Sequence, residues 1–177
     1  MRILTLIALA LLFAGSAIYF IVARPDPAAF AAWGYPGIAV LMFLCSTTIV
    51  LPMPGFAAVV AAGGVWNPLL VGVSAGIGGG LGEFSSYLLG LGGETLVGLE
   101  DNRRWQAVSA VVQRYGFWAI VLAAATPLPF DLVGIIAGST GYSALRFVAA
   151  SLLGKIIKYL LLAYFGDAAF ALWQGLA

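Results

Sequence analysis

The chain has 177 residues, of which 63% are hydrophobic and 8% charged, with a formal net charge of +1 and a mean hydropathy of +1.07. So few charges cannot cover a water-facing surface, whereas lipid solvates such a composition directly, and the chain reads as an integral membrane protein. No basic stripe exists to neutralise nucleic-acid phosphates, Cys45 has no second cysteine to bridge to, and the absence of histidine removes His metal sites, His-dependent triads and imidazole relays.

Ile3 to Ala23 is an unbroken apolar stretch between Arg2 and Arg24, long enough at about 1.5 Å per residue to cross about 30 Å of hydrocarbon. The run continues past the small residues Ala14 to Ala17, so it reads as an uncleaved first span and not as a cleaved signal. The next stretch, Gly37 to Gly64, is interrupted by Pro52-Met53-Pro54. Two prolines so close remove backbone donors and stop a helix, leaving arms too short to cross. The expectation is a re-entrant hairpin whose broken backbone is shielded by protein or water; the alternative is an ordinary span kinked at proline.

Leu69 to Gly90 predicts the second span, with Asn67 as its cap and Pro68 at the first helical position, where a missing N–H costs nothing. A polar amphipathic connector follows around Asn102–Tyr115. Gly116 to Gly138 then carries its own Pro127-Leu128-Pro129 and reads as a second hairpin, and Ala144 to Phe165, capped by Ser143, predicts a third span. The Asp167–Ala177 tail is expected outside the membrane or folded back at the interface.

Adding 75 to the numbering carries Pro52 to Pro127, Pro54 to Pro129, Ala62 to Ala137, Gly63 to Gly138, Gly79 to Gly154 and Glu83 onto Lys158, while adding 82 carries Gly34 to Gly116 and Ile38 to Ile120. One span inside each unit requires the repeats to be inverted, so the hairpins enter from opposite faces. The expected fold is an all-α membrane protein with about three transmembrane helices plus two opposed re-entrant helical hairpins in an inverted repeat. Its parts are an anchor helix at 1–33, a core at 34–166 and a tail at 167–177. The core divides into hairpin 1 plus span at 34–91, the connector at 92–115, and hairpin 2 plus span at 116–166. A cytoplasmic N-terminus puts Arg2, Arg103, Arg104, Arg114 and Arg146 inside and only Arg24 outside, as positive-inside bias prefers.

Function is sought at Glu83, Asp131, Lys155 and Lys158, the charges set deepest in apolar sequence. A charge near mid-bilayer costs roughly 2.5–3.5 kcal/mol, so it is kept where it meets a partner, a polar cavity or a substrate. Gly76, Gly80, Glu83 and Tyr87 share one helical face, which a neighbouring helix can approach closely. Tight packing alone accounts for the glycines but not for the carboxylate. Gly78-Gly79-Gly80-Leu81-Gly82 lacks the Lys-Ser/Thr and strand context of a phosphate loop, and no other cofactor motif is legible. Lys155 and Lys158 share a face, Lys155 being closer in depth to Glu83; snorkelling to the headgroups is the alternative, better suited to Lys158. Asp131 follows the second Pro-x-Pro, where it can cap the next short helix or pair with a lysine. The candidate pathway is therefore Glu83, Tyr87, Asp131, Lys155 and Lys158, with hairpin tips at Pro52, Pro54, Gly55, Pro127 and Pro129.

At these residues the chain resembles the DedA/VTT (SNARE-associated) family of membrane proteins. The resemblance covers roughly Gly34 to Gly166 and rests on four motifs: Leu51-Pro52-Met53-Pro54-Gly55; Gly82-Glu83-x-x-x-Tyr87-x-x-Gly90; Thr126-Pro127-Leu128-Pro129-Phe130-Asp131 with Ala137-Gly138; and Gly154-Lys155. It implies two opposed re-entrant hairpins and movement of phospholipids or polyprenyl-phosphate carriers between leaflets, coupled in some bacterial members to proton or sodium gradients. Many members carry an acidic residue after the first Pro-Gly, where this chain has Phe56. Many bacterial members carry arginines around the second hairpin, where this chain has Ala124, Thr126 and Asp131.

The resulting expectation is a non-enzymatic lipid transporter or scramblase of the prokaryotic cytoplasmic membrane, with membrane lipids as its partners and no nucleic acid. A small-solute or ion antiporter and a non-transporting membrane scaffold are the alternatives. No nucleophile–base constellation is legible.

Overall fold

A computed structural model describes residues 33–47, 53–92, 103–126 and 130–176. The expected first span over Ile3–Ala23 and the prolines Pro52, Pro127 and Pro129 lie outside the described residues. Within them the chain is all helical: α1 Gly34–Thr47, α2 Met53–Val65, α3 Pro68–Gly82, α4 Phe84–Leu91, α5 Arg103–Tyr115, α6 Phe117–Ala125, α7 Asp131–Ser139 and α8 Ala144–Leu176.

Local chemistry sets the ends of these helices. The Asn67 side-chain oxygen accepts from the N–H groups of Leu69 at 3.0 Å and Leu70 at 3.3 Å, with Pro68 seated at the first position of α3. Gly34 and Gly116, at φ +66° and +50°, begin the first helix of each proline-marked pair in a backbone region that other residues avoid. Pro54 and Gly55, expected at a hairpin tip, already belong to the first turn of α2, where a missing N–H has no intrahelical partner to lose. Gly55 lies against the sulfurs of Met42 and Cys45 on α1.

The second predicted span is divided at Glu83 into α3 and α4, although Glu83 itself keeps helical angles of φ −65° and ψ −16°. Its N–H still donates to the Gly79 carbonyl at 3.2 Å. Just beyond, the Ser85 and Ser86 hydroxyls donate to the carbonyls of Gly82 and Glu83 at 2.8 and 2.7 Å, local bonds of the kind that bend a helix. Pro68 through Leu91 together reach about 36 Å at 1.5 Å per residue. The third predicted span runs past its expected end at Phe165 to Leu176, because no proline follows Gly166 to stop it. Most of the expected tail is thus helix.

Glycines fix how the helices meet. Gly72, Gly76 and Gly80 of α3 lie against Leu160, Ile156 and Leu152 of α8, so the two long segments run antiparallel and so close that a Cβ would strike the facing backbone. The first helix of each pair packs on the long segment of its own half: α1 on α3 where Gly78 meets Ala39, and α6 on α8 where Gly154 meets Val121. The second helix packs on the long segment of the other half. Gly63 of α2 meets Ala163 of α8, and Gly138 of α7 meets Tyr87 of α4. Gly166 meets the Val60 carbonyl while Gly90 meets that of Ile135, and Val60 and Ile135 are themselves 75 residues apart.

Polarity across α8 runs from apolar outside to charged inside. Leu153, Ile157, Leu161 and Phe165 point outward at 39, 41, 67 and 65% exposure, whereas Lys155 and Lys158 point inward at 5 and 7%. Such an arrangement suits lipid, which solvates the leucines and would not solvate the lysines. Among the described residues, Ala144–Gly175 is the helix long and apolar enough to cross a membrane unaided.

Candidate functional site

Because α3 and α8 are antiparallel, the side-chain row that sets Gly79 beside Tyr159 sets Glu83 beside Lys155 one turn further on. Lys155 Nζ forms an ion pair with Glu83 Oε1, and both side chains are almost wholly buried. The second carboxylate oxygen, Oε2, is buried with no hydrogen-bond partner among the described residues. So is the hydroxyl of Ser151, one turn before Lys155 on α8. A buried pair left with an unsatisfied acceptor is a costly arrangement, and one that a substrate proton or donor can relieve.

Lys158 is placed differently. Its ammonium donates to the Thr126 carbonyl at 3.4 Å and lies 5.5 Å from the centre of the Phe56 ring and 5.4 Å from that of Tyr159. Among the described residues it has no carboxylate in ion-pair contact. Lys155 also faces rings, those of Phe130 at 5.7 Å and Tyr159 at 6.0 Å. A cation over an aromatic face gains about 0.5–2 kcal/mol, less than a carboxylate supplies, and the ring leaves the remaining N–H donors of Lys158 without strong acceptors.

Asp131 is the first residue of α7, half-buried and within electrostatic reach of Glu83 and Lys155. Phe130 occupies the cap position, so Asp131 acts from inside the first turn, where the positive helix end favours a carboxylate. Tyr87 is directed elsewhere: its hydroxyl donates to the Tyr142 carbonyl, and its ring packs between Phe84 and Phe147 at centroid distances of 5.6 and 5.0 Å. The structure therefore gathers Glu83, Asp131, Lys155 and Lys158 and leaves Tyr87 in the aromatic core. Gly55 lies one residue before Phe56, so the start of α2 borders the cluster.

Tyr159, Phe56, Phe130 and the Thr126 carbonyl were absent from the sequence-level candidates. A signal for three of them exists in the sequence. Phe130 follows directly on the second Pro-x-Pro motif, Phe56 lies two residues beyond the first, and Tyr159 lies one turn beyond Lys155. A peptide carbonyl has no such signature. No group of three metal-ligating side chains forms among the described residues.

A family model described as the VTT domain matches residues 53–168, a stretch that contains all four charges and the three rings around them. No curated protein and no solved structure gives a significant match.

Proposed function

We propose, because the chain belongs to the DedA/VTT family of membrane proteins, that it moves anionic lipid headgroups between leaflets while their acyl chains remain in the bilayer. The observation that carries this reading is Lys158, a buried ammonium between two helix pairs whose partners are ring faces and one carbonyl. A phosphate entering a low-dielectric path needs a compensating cation, and one ammonium at 4 Å is worth about 4 kcal/mol at an effective dielectric near 20. Lys158 meets the phosphate. Glu83 holds Lys155 neutral as a pair, and its free Oε2 accepts a proton or a donor from the headgroup.

In this reading the α1/α2 and α6/α7 pairs are re-entrant hairpins entering from opposite faces, with the N-terminus cytoplasmic. The reciprocal contacts of Gly63 and Gly138, the matching left-handed starts at Gly34 and Gly116, and the antiparallel α3 and α8 support it. Cysteine labelling near 52–55 and 127–131, in a Cys45→Ser background, tests the topology; free labelling of both sites from one side of the membrane rejects it.

The function is tested in proteoliposomes carrying a fluorescent anionic phospholipid. Lys158→Met should slow its movement at least tenfold, and Lys158→Arg should retain part of it by keeping the charge. Unimpaired lipid movement together with enhanced cation flux in Lys158→Met sinks the lipid reading in favour of an antiporter.

A further inference from the structure

An apolar groove of about 450 Å³ opens between α5 and α6, lined by Val111 and Tyr115 on one side and by Trp118, Leu122 and Ala123 on the other. It ends at Thr126, the residue whose carbonyl holds the Lys158 ammonium. Trp118, Leu122 and Thr126 follow one another at steps of four along α6 and its C-terminal cap, so they form one stripe about 12 Å long, with Tyr115 facing it from the end of α5. Trp118 and Leu122 are 64 and 67% exposed, an outward-facing wall with a cation behind its inner end.

We infer that this groove seats the acyl chain of the same anionic lipid whose headgroup reaches Lys158, and so serves as the lateral entry of the substrate from the bilayer. The inference rests on the proposed role of Lys158. Its physical basis is complementarity at both ends: an apolar track for a hydrocarbon chain, and, where that chain's phosphate would lie, a positive charge with no ion-paired carboxylate among the described residues. The other occupants fit one end only. Ile3–Ala23 of this chain is apolar and flanked by Arg2 and Arg24, so it brings no anion to Lys158, and a bulk zwitterionic lipid has no net charge to be drawn inward.

Photolabelling of the full chain in vesicles tests this. The probe is a phosphatidic acid with a diazirine along one acyl chain, in a phosphatidylcholine background, and labelled peptides are mapped by mass spectrometry. The expected result is labelling concentrated on Tyr115–Thr126, reduced at least fivefold by Lys158→Met, restored in part by Lys158→Arg, and unchanged over Leu153–Leu161 on the outer face of α8. Ala123→Phe, which narrows the groove and leaves the lysine in place, should reduce the same labelling and slow a long-chain probe while sparing a water-soluble dibutanoyl phosphatidic acid.

Equal labelling of both faces, indifferent to Lys158, means surrounding bilayer lipid only and overturns the inference. Absent labelling, with a Leu122→Cys variant cross-linking to the 3–23 segment, assigns the groove to the chain itself and overturns it too. Lipid flux that is lost in Lys158→Met while labelling persists rejects the groove and leaves the headgroup site standing. Absent anionic-lipid flux in the unmodified protein rejects the headgroup reading instead.

Discussion

The two halves of the core use their backbones alike and their charges oppositely. In each, a positive-φ glycine starts the first helix of a pair, and a glycine in the second helix lets it lie against the long segment of the other half. Yet α3 and α4 bring a carboxylate to the centre, whereas α8 brings two ammonium groups. A shift of 75 relates Glu83 to Lys158, but Glu83 pairs with Lys155. Positions that correspond by a shift in numbering need not touch; contact is decided by the register of two antiparallel helices. The outcome is one lysine neutralised by a carboxylate and another, a turn away, faced among the described residues with rings and a carbonyl.

The largest effect should separate the two lysines. Lys155→Met leaves the Glu83 carboxylate buried without its cation and should cost about 3–5 kcal/mol, whereas Lys158→Met removes a charge that has no ion-pair partner among the described residues and should cost far less. Thermal unfolding in detergent reads the difference, and equal losses would erase the distinction between the two sites. Because both charges are removed together, Glu83→Gln combined with Lys155→Met should recover most of the stability. Transport should stay impaired in the double variant if the pair works and does not only hold the helices.

Next in size come the crossing glycines. Gly63→Leu and Gly138→Leu each force a side chain into the backbone of the opposite long segment, at Ala163 and Tyr87, and should each cost about 1–3 kcal/mol or more. Similar losses of folded protein, measured by size-exclusion chromatography, support equivalent halves. A severe effect at one glycine and none at the other breaks the comparison.

The rings should matter less for stability and more for charge. Phe56→Leu removes one aromatic face from Lys158 and should cost about 0.5–2 kcal/mol. Phe56→Glu places a carboxylate beside Lys158 and should cut anionic-lipid movement at least tenfold without a matching loss of folded protein. Continued transport in that variant would mean that the charge of Lys158 is not the feature the substrate uses. Smallest of all, Asn67→Ala removes the cap of α3 and should cost about 1 kcal/mol in a thermal melt, with transport in the folded fraction unchanged.

Phe56 lies two residues beyond the first Pro-x-Pro motif, and Thr126 immediately precedes the second. Here the ring and the carbonyl both converge on Lys158, so a lysine from α8 brings positive charge to the neighbourhood of the second proline motif. That convergence is not visible in either motif alone.

The sequence by itself determined the membrane class, the start of α3 at the Asn67 cap and Pro68, and the depth that brings Lys155 closer to Glu83 than Lys158. Each of these depends on composition, on a missing backbone donor or on the helical rise, all of which act within a few residues of one another. Only the tertiary structure decided that Tyr87 turns to the aromatic core, that α8 continues to Leu176, and that Lys158 faces Phe56, Tyr159 and the Thr126 carbonyl. Those surroundings come from helices far apart in the chain. Their mutual rotation is set where glycines let backbones meet, and residue spacing along one helix carries no record of it.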